Sequence, residues 1–272
     1  MSFLASLFHT LSFDDSENSS DNEEKEITSQ GSVEGRARQL KARLRSLLKH
    51  HDGSTEHTDV VDAIHSLSKL CPCNAQSPQW LDLFMGEFFV QTSPNFPGRL
   101  PPAYKGDERV QYTLDVRNVV APKPDDTFTY HLICDIIIHT PEGDVEAEIR
   151  NESYCCKDDY ESNRVHVFFT GSKLSPAQSV IENNGLMALW SKIFNEATLK
   201  AAAAKRSYFG WMMDQILKRM LGMNVRLDDS HSFCLEFKKS IRGYIDVLYL
   251  DEEMRITKGN RGTLVVVERI QS

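Results

Sequence analysis

Nowhere in the 272 residues does an apolar run approach the ~18 a helix needs to span a bilayer, which excludes a helical membrane span in this sequence. Cysteine is sparse. The six are not arranged as CxxC pairs or at zinc-ligand spacing with histidine, so neither a disulfide framework nor a zinc module is expected, and the thiols read as reduced. The sequence contains no GxSxG elbow, no HExxH, no GxGxxG, no Walker A run and no calcium-binding loop, so no catalytic residue and no metal site is assigned. Positive charge is also short, with 31 Lys and Arg against 39 Asp and Glu and a net charge of −8, which argues against nucleic acid as a partner. Phe88, Phe89, Phe168, Phe169, Phe233 and Phe237 lie in alternating segments without interleaved arginines, the pattern of core packing rather than base stacking.

The negative charge that is present is concentrated at one end. Residues 1–34 hold eight acids against Lys25, a net of −7, and after Phe13 few apolar side chains. Such a segment cannot offset its ordering entropy and is expected to be a disordered acidic tail. Its apolar opening has no basic lead and runs directly into Asp14 and Asp15, so neither a secretory signal nor a transit peptide is recognisable. Residues 36–49 then carry six cations and no acid.

Hydrophobic periodicity divides the remainder. Ala37, Leu40, Leu44, Leu47 and Leu48 recur at helical spacing, as do Val61, Ile64, Leu67 and Leu70, predicting a helical hairpin over 35–76. From residue 77 to 270 the period falls to two. Strands are predicted at 83–91, 109–117, 128–140, 144–153, 164–170, 232–239, 243–251, 254–258 and 263–270. So many short strands joined mostly by turns favour a mainly β fold, an antiparallel barrel, with α+β content overall. A helical insertion is expected at 175–229.

Few polar residues stand out. The acid pairs at 125–126, 158–159, 228–229 and 252–253 sit beside turn signals and read as solvated loops. Asp135, His139 and Asp246 lie within strands, and an enzyme acting on an apolar ligand would need one of them to point inward.

The C-terminal stretch YLDEEMRITKGNRGTLVVVER, residues 249–269, carries the most distinctive pattern. It resembles the signature of the plastid lipid-associated protein family, the fibrillins, with Tyr249, Asp251, Arg255, Gly259 and Gly262 at the matching positions. The segment SPQWLDLFMGEFFVQTSPNFPG, residues 77–98, resembles the family's helical lead-in and first strand, although Trp80 lies slightly before that strand. The resemblance implies a lipocalin-like barrel that binds hydrophobic small molecules such as lipids, carotenoids or quinones. It implies no required cofactor, only a bound lipid or isoprenoid, and a plastid location, with the cytoplasm as the alternative. The five motif residues are its implied ligand-binding set. Their own chemistry leaves two readings open. Asp251 and Arg255 either pair across a hairpin turn and fix its register, or Arg255 stands at the barrel mouth and grips a headgroup.

Three functions remain: a carrier with an apolar lumen, a coat protein of lipid bodies without an internal ligand, and an enzyme working inside the barrel. The insertion adds an anionic membrane surface as a candidate partner. Residues 200–226 carry six cations against Asp214, and Phe209, Trp211 and Met212 lie beside Lys218 and Arg219, a composition suited to the headgroup region. The same stripe would also suit packing on a barrel wall. Membrane contact predicts that vesicles containing anionic lipid float the protein, that salt weakens attachment, and that changing Lys218 and Arg219 to Glu releases it without unfolding. Equal flotation of wild type and variant would assign the stripe to the core.

Overall fold

The computed structural model describes residues 33–73, 76–92, 110–125, 127–158, 163–206, 223–227 and 231–271. The acidic segment falls outside them up to residue 32. Helices α1 (Val33–His50) and α2 (Thr58–Ser68) come first, followed by the short α3 (Trp80–Phe84). Strands β1 (Gly86–Val90), β2 (Val110–Pro122), β3 (Phe128–Thr140), β4 (Gly143–Lys157) and β5 (Arg164–Pro176) follow. Helices α4 (Gln178–Ile181) and α5 (Asn184–Arg206) precede β6 (Met223–Leu227), β7 (Phe233–Leu250), β8 (Met254–Gly259) and β9 (Leu264–Arg269).

All pairings are antiparallel, and the order β5-β4-β3-β2-β1-β9-β8-β7 is closed by a β5–β7 ladder into an eight-stranded barrel. The ninth strand lies outside the ring. β6 pairs with residues 233–237 of β7, on the edge that β8 takes up again at residue 245. Closure gives each of the eight strands a neighbour on both sides.

Two sequence expectations are corrected. The separate strands at 232–239 and 243–251 are one 18-residue strand, β7, and β6 is a strand inside a segment read as helical. The misleading signal was Lys238-Lys239-Ser240, which resembles a break. Here four residues of β7, 237–240, stand opposite Thr170 alone, so the strand bulges and bends without ending. Trp80 precedes the first strand because residues 80–84 form α3, which sits over one end of the barrel.

The sheet buries both of its faces where it needs to. Inward positions such as Phe88, Val116, Val120, Tyr130, Ile149, Val167 and Val247 are apolar and almost fully buried. Trp80 and Phe84 of α3 pack into this interior at one end, and Leu186, Met187 and Trp190 of α5 pack against it at the other. Outside, α1 and α2 lay Leu44, Leu48, Ile64 and Leu67 on Tyr249, Met254, Ile256 and Val266. Each such side chain contributes about 1.5–3 kcal/mol on burial. Four successive residues of β8, from Met254 to Thr257, are buried for this reason: helices cover one face and the lumen lies on the other. Among the described residues no helix is long and apolar enough to cross a membrane.

Barrel closure places one demand on sequence that no other side chain could meet. Gly171 lies at the β5 bulge, and a Cβ there would collide with the main-chain oxygen of Leu235 on β7. Changing Gly171→Ala should therefore cost about 2 kcal/mol or more, read as a lower urea midpoint, because backbone rather than a flexible side chain would have to move. An unchanged midpoint would show that the ladder yields locally.

Candidate functional site

The β7–β8 hairpin is built by Asp251. Its main-chain N–H donates to Met254 O at 3.0 Å, while its Oδ1 accepts from the N–H groups of Glu253 at 2.9 Å and Met254 at 2.7 Å. This side-chain turn is what Asp supplies at such a position. Oδ2 accepts from Tyr249 Oη at 2.7 Å and from Lys41 Nζ at 2.8 Å, which ties α1 to the hairpin. Lys41 also reaches Glu253 Oε2 at 2.8 Å, and Arg45 extends the network to Glu253 and Glu268.

Burial works against an ionised Asp251, but Lys41, Tyr249 and the two amides outweigh it and hold the carboxyl below its ordinary range. Burial likewise pulls Lys41 down, and Asp251 and Glu253 raise it above its ordinary value. Burial and the Asp251 carboxylate together raise the Tyr249 phenol.

Arg255 does not pair with Asp251, and it does not stand at an open mouth. It lies on the other face of the hairpin, only 1% exposed, inside the barrel. A bulge between Val247 and Tyr249 sends Tyr249 outward to the helices and leaves Leu250, opposite Arg255, facing in. Arg255 Nη1 donates to Phe84 O at 2.7 Å and Nη2 to Asn118 Oδ1. The guanidinium carbon sits 4.6 Å from the Phe84 ring centre, 4.4 Å from Phe88 and 5.8 Å from Tyr130. Burial depresses its basicity.

The two motif glycines have a backbone role. Gly262 holds φ of +81°, and its N–H donates to Gly259 O at 2.9 Å, while Gly259 N–H donates to Thr263 O at 2.8 Å, so together they close the β8–β9 reversal. Asp135, His139 and Asp246 are strand residues on the outer face, in polar contact with Arg117, Asp144 and Arg164 respectively, so none supplies the inward polar group an enzyme reading requires. None of the six cysteines forms a disulfide, and burial pushes the Cys155 thiol up to about 12, which keeps it protonated. Phe209, Trp211, Met212, Lys218 and Arg219 lie outside the described residues.

Sequence reasoning missed Lys41, Asn118, Arg269 and the indole N–H of Trp80. Lys41 was visible as a cation inside the apolar stripe Ala37–Leu44–Leu48, and Asn118 as a lone amide among β-branched neighbours at an inward position. Arg269 donates to the carbonyls of Leu83 at 2.6 Å, Met85 at 2.9 Å and Glu252 at 2.9 Å, which locks α3 to the hairpin. Its signal was Gly86, whose φ of +124° and missing side chain leave room for that guanidinium.

A double-mutant cycle tests the network. Lys41→Met alone should cost roughly 1–3 kcal/mol, since it strands a half-buried carboxylate. Combined with Asp251→Asn it should show a coupling of at least about 1 kcal/mol, whereas Asp251→Ala and Arg255→Ala, which share no partner, should add. The Asp251 contribution should be present above its ordinary value of 3.8 and lost as pH falls through its lowered value. The Lys41 contribution should persist past 10.5 and vanish as pH rises through its raised value. Denaturation midpoints from pH 2 to pH 11 would show both limbs.

Residues 161–268 match the PAP_fibrillin family model, which spans β5, the insertion and nearly all of β9 and includes every motif residue from Tyr249 to Gly262. The match does not extend to the N-terminal stretch. No curated protein and no solved structure gives a significant match to the chain. Over the half of the barrel that contains its closing ladder partner β7 and the Asp251–Arg255 hairpin, the chain is similar to the PAP_fibrillin family.

Proposed function

We propose that the protein binds or organises hydrophobic small molecules such as lipids, carotenoids or quinones, without chemistry of its own, at plastid membranes or lipid bodies. The observation that carries this reading is a closed eight-stranded barrel with apolar inward positions, whose second half matches the PAP_fibrillin family model. An eight-stranded barrel has an interior of the size that fills with side chains or holds one small ligand. Helices at both ends would shield such a ligand from water. The outward polar contacts of Asp135, His139 and Asp246 support a binding role over an enzymatic one. The cationic segment 200–226 supports peripheral attachment to an anionic surface.

Purification of the full chain from its native membrane, followed by mass spectrometry of extracted lipid, tests the reading. An internal ligand should co-purify at about one molecule per chain and survive extensive detergent washing, as tight apolar burial requires. Lipid that washes away in proportion to detergent would instead favour a coat that uses only the outer surface.

A further inference from the structure

Among the described residues two buried side-chain atoms lack a hydrogen-bond partner, Arg255 Nε and Trp80 Nε1. Both are donors, and both flank Phe84: Trp80 stacks on the Phe84 ring at 4.9 Å, and the Arg255 guanidinium lies 4.6 Å from that ring. Buried donors left unmade are costly and rare in folded proteins. Two beside the same aromatic ring point to an absent acceptor.

Charge narrows the identity of that acceptor. The side-chain and main-chain partners of Arg255 are a carbonyl and an amide oxygen, both neutral, and no carboxylate of the described residues forms an ion pair with it. The other guanidinium nearby is Arg269, 4.6 Å from the Phe88 ring that Arg255 also faces, so the local charge is positive. A cation enclosed by aromatic rings with neutral acceptors alone carries a desolvation cost that an anion would offset. A ketone or ester oxygen would satisfy a donor but leave the charge uncompensated. A small inorganic anion would gain nothing from the apolar wall that surrounds it.

We propose that this end of the barrel is a head site for a long-chain carboxylate, whose oxygens accept from Arg255 Nε and Trp80 Nε1 and whose tail runs along Val116, Cys134, Ile149, Val167 and Val267. The inference rests on the reading of the protein as a binder of hydrophobic molecules and names the class of molecule. Guanidinium suits the task, since its planar donors match a carboxylate better than an ammonium would.

The test uses the delipidated full-length chain, titrated with oleate, methyl oleate and inorganic phosphate. Oleate should bind at least about tenfold more tightly than methyl oleate, the preference a charge-assisted hydrogen bond confers. Arg255→Met, close in volume and apolar, should bring oleate down to the methyl oleate affinity while leaving the latter intact. Trp80→Phe keeps an aromatic side chain but removes the N–H together with part of the indole, so, judged against its own methyl oleate affinity, it should narrow the preference even if the Arg255 variant fails to fold. Equal binding of oleate and methyl oleate by the wild type would overturn the head site and leave hydrophobic binding standing. Binding of neither would overturn both. Phosphate binding as tightly as oleate would reduce the site to one for small anions and overturn the amphiphile.

Discussion

The antiparallel ladder between β5 and β7 makes the rest of the structure possible. Without it the nine strands form one long sheet with exposed edges; with it, eight of them enclose an interior. Inward side chains then have somewhere to be buried, and the alternation of apolar and polar residues along each strand acquires an inside and an outside. The ladder is not regular. Its bulge at Thr170 and the tight approach of Gly171 to Leu235 supply the bend that lets an 18-residue strand serve two neighbours on its other edge.

From that closure follows the division of labour in the β7–β8 hairpin. One face belongs to the helices, where Asp251, Tyr249 and Lys41 make a polar clasp within apolar packing. The opposite face belongs to the lumen, where Arg255 meets aromatic rings. A single short motif thus carries two unrelated tasks, and residues four apart in sequence have no partner in common. The three main-chain contacts of Arg269 hold the arrangement together by fastening α3 and the hairpin turn to each other.

Much of this was legible before any coordinates. Period-two patterning gave the strands because one face of each is buried, and the Gly-rich reversal at 259–262 was visible because positive φ selects glycine. What escaped notice were features set by distant contacts. Lys238 and Lys239 look like a strand end, yet a bulge only bends the strand there. Asp251 and Arg255 look like a pair from spacing alone, and only the parity change at the preceding bulge separates them. Trp80 declares nothing locally; its role depends on which elements lie across the end of the barrel.

The clasp between Lys41 and Asp251 joins residues 210 positions apart, and β1 finds its second neighbour only in β9, the last strand of the chain. During synthesis the first helices and strands therefore emerge long before their partners exist. The apolar stripe of α1 has no wall to rest on, and the barrel has no closing strand. Such sequence-distant pairing slows folding and leaves hydrophobic surface open meanwhile. Cationic α1 follows directly on an acidic stretch of sequence, so opposite charges lie side by side along the chain next to the helix whose apolar stripe waits longest for its wall.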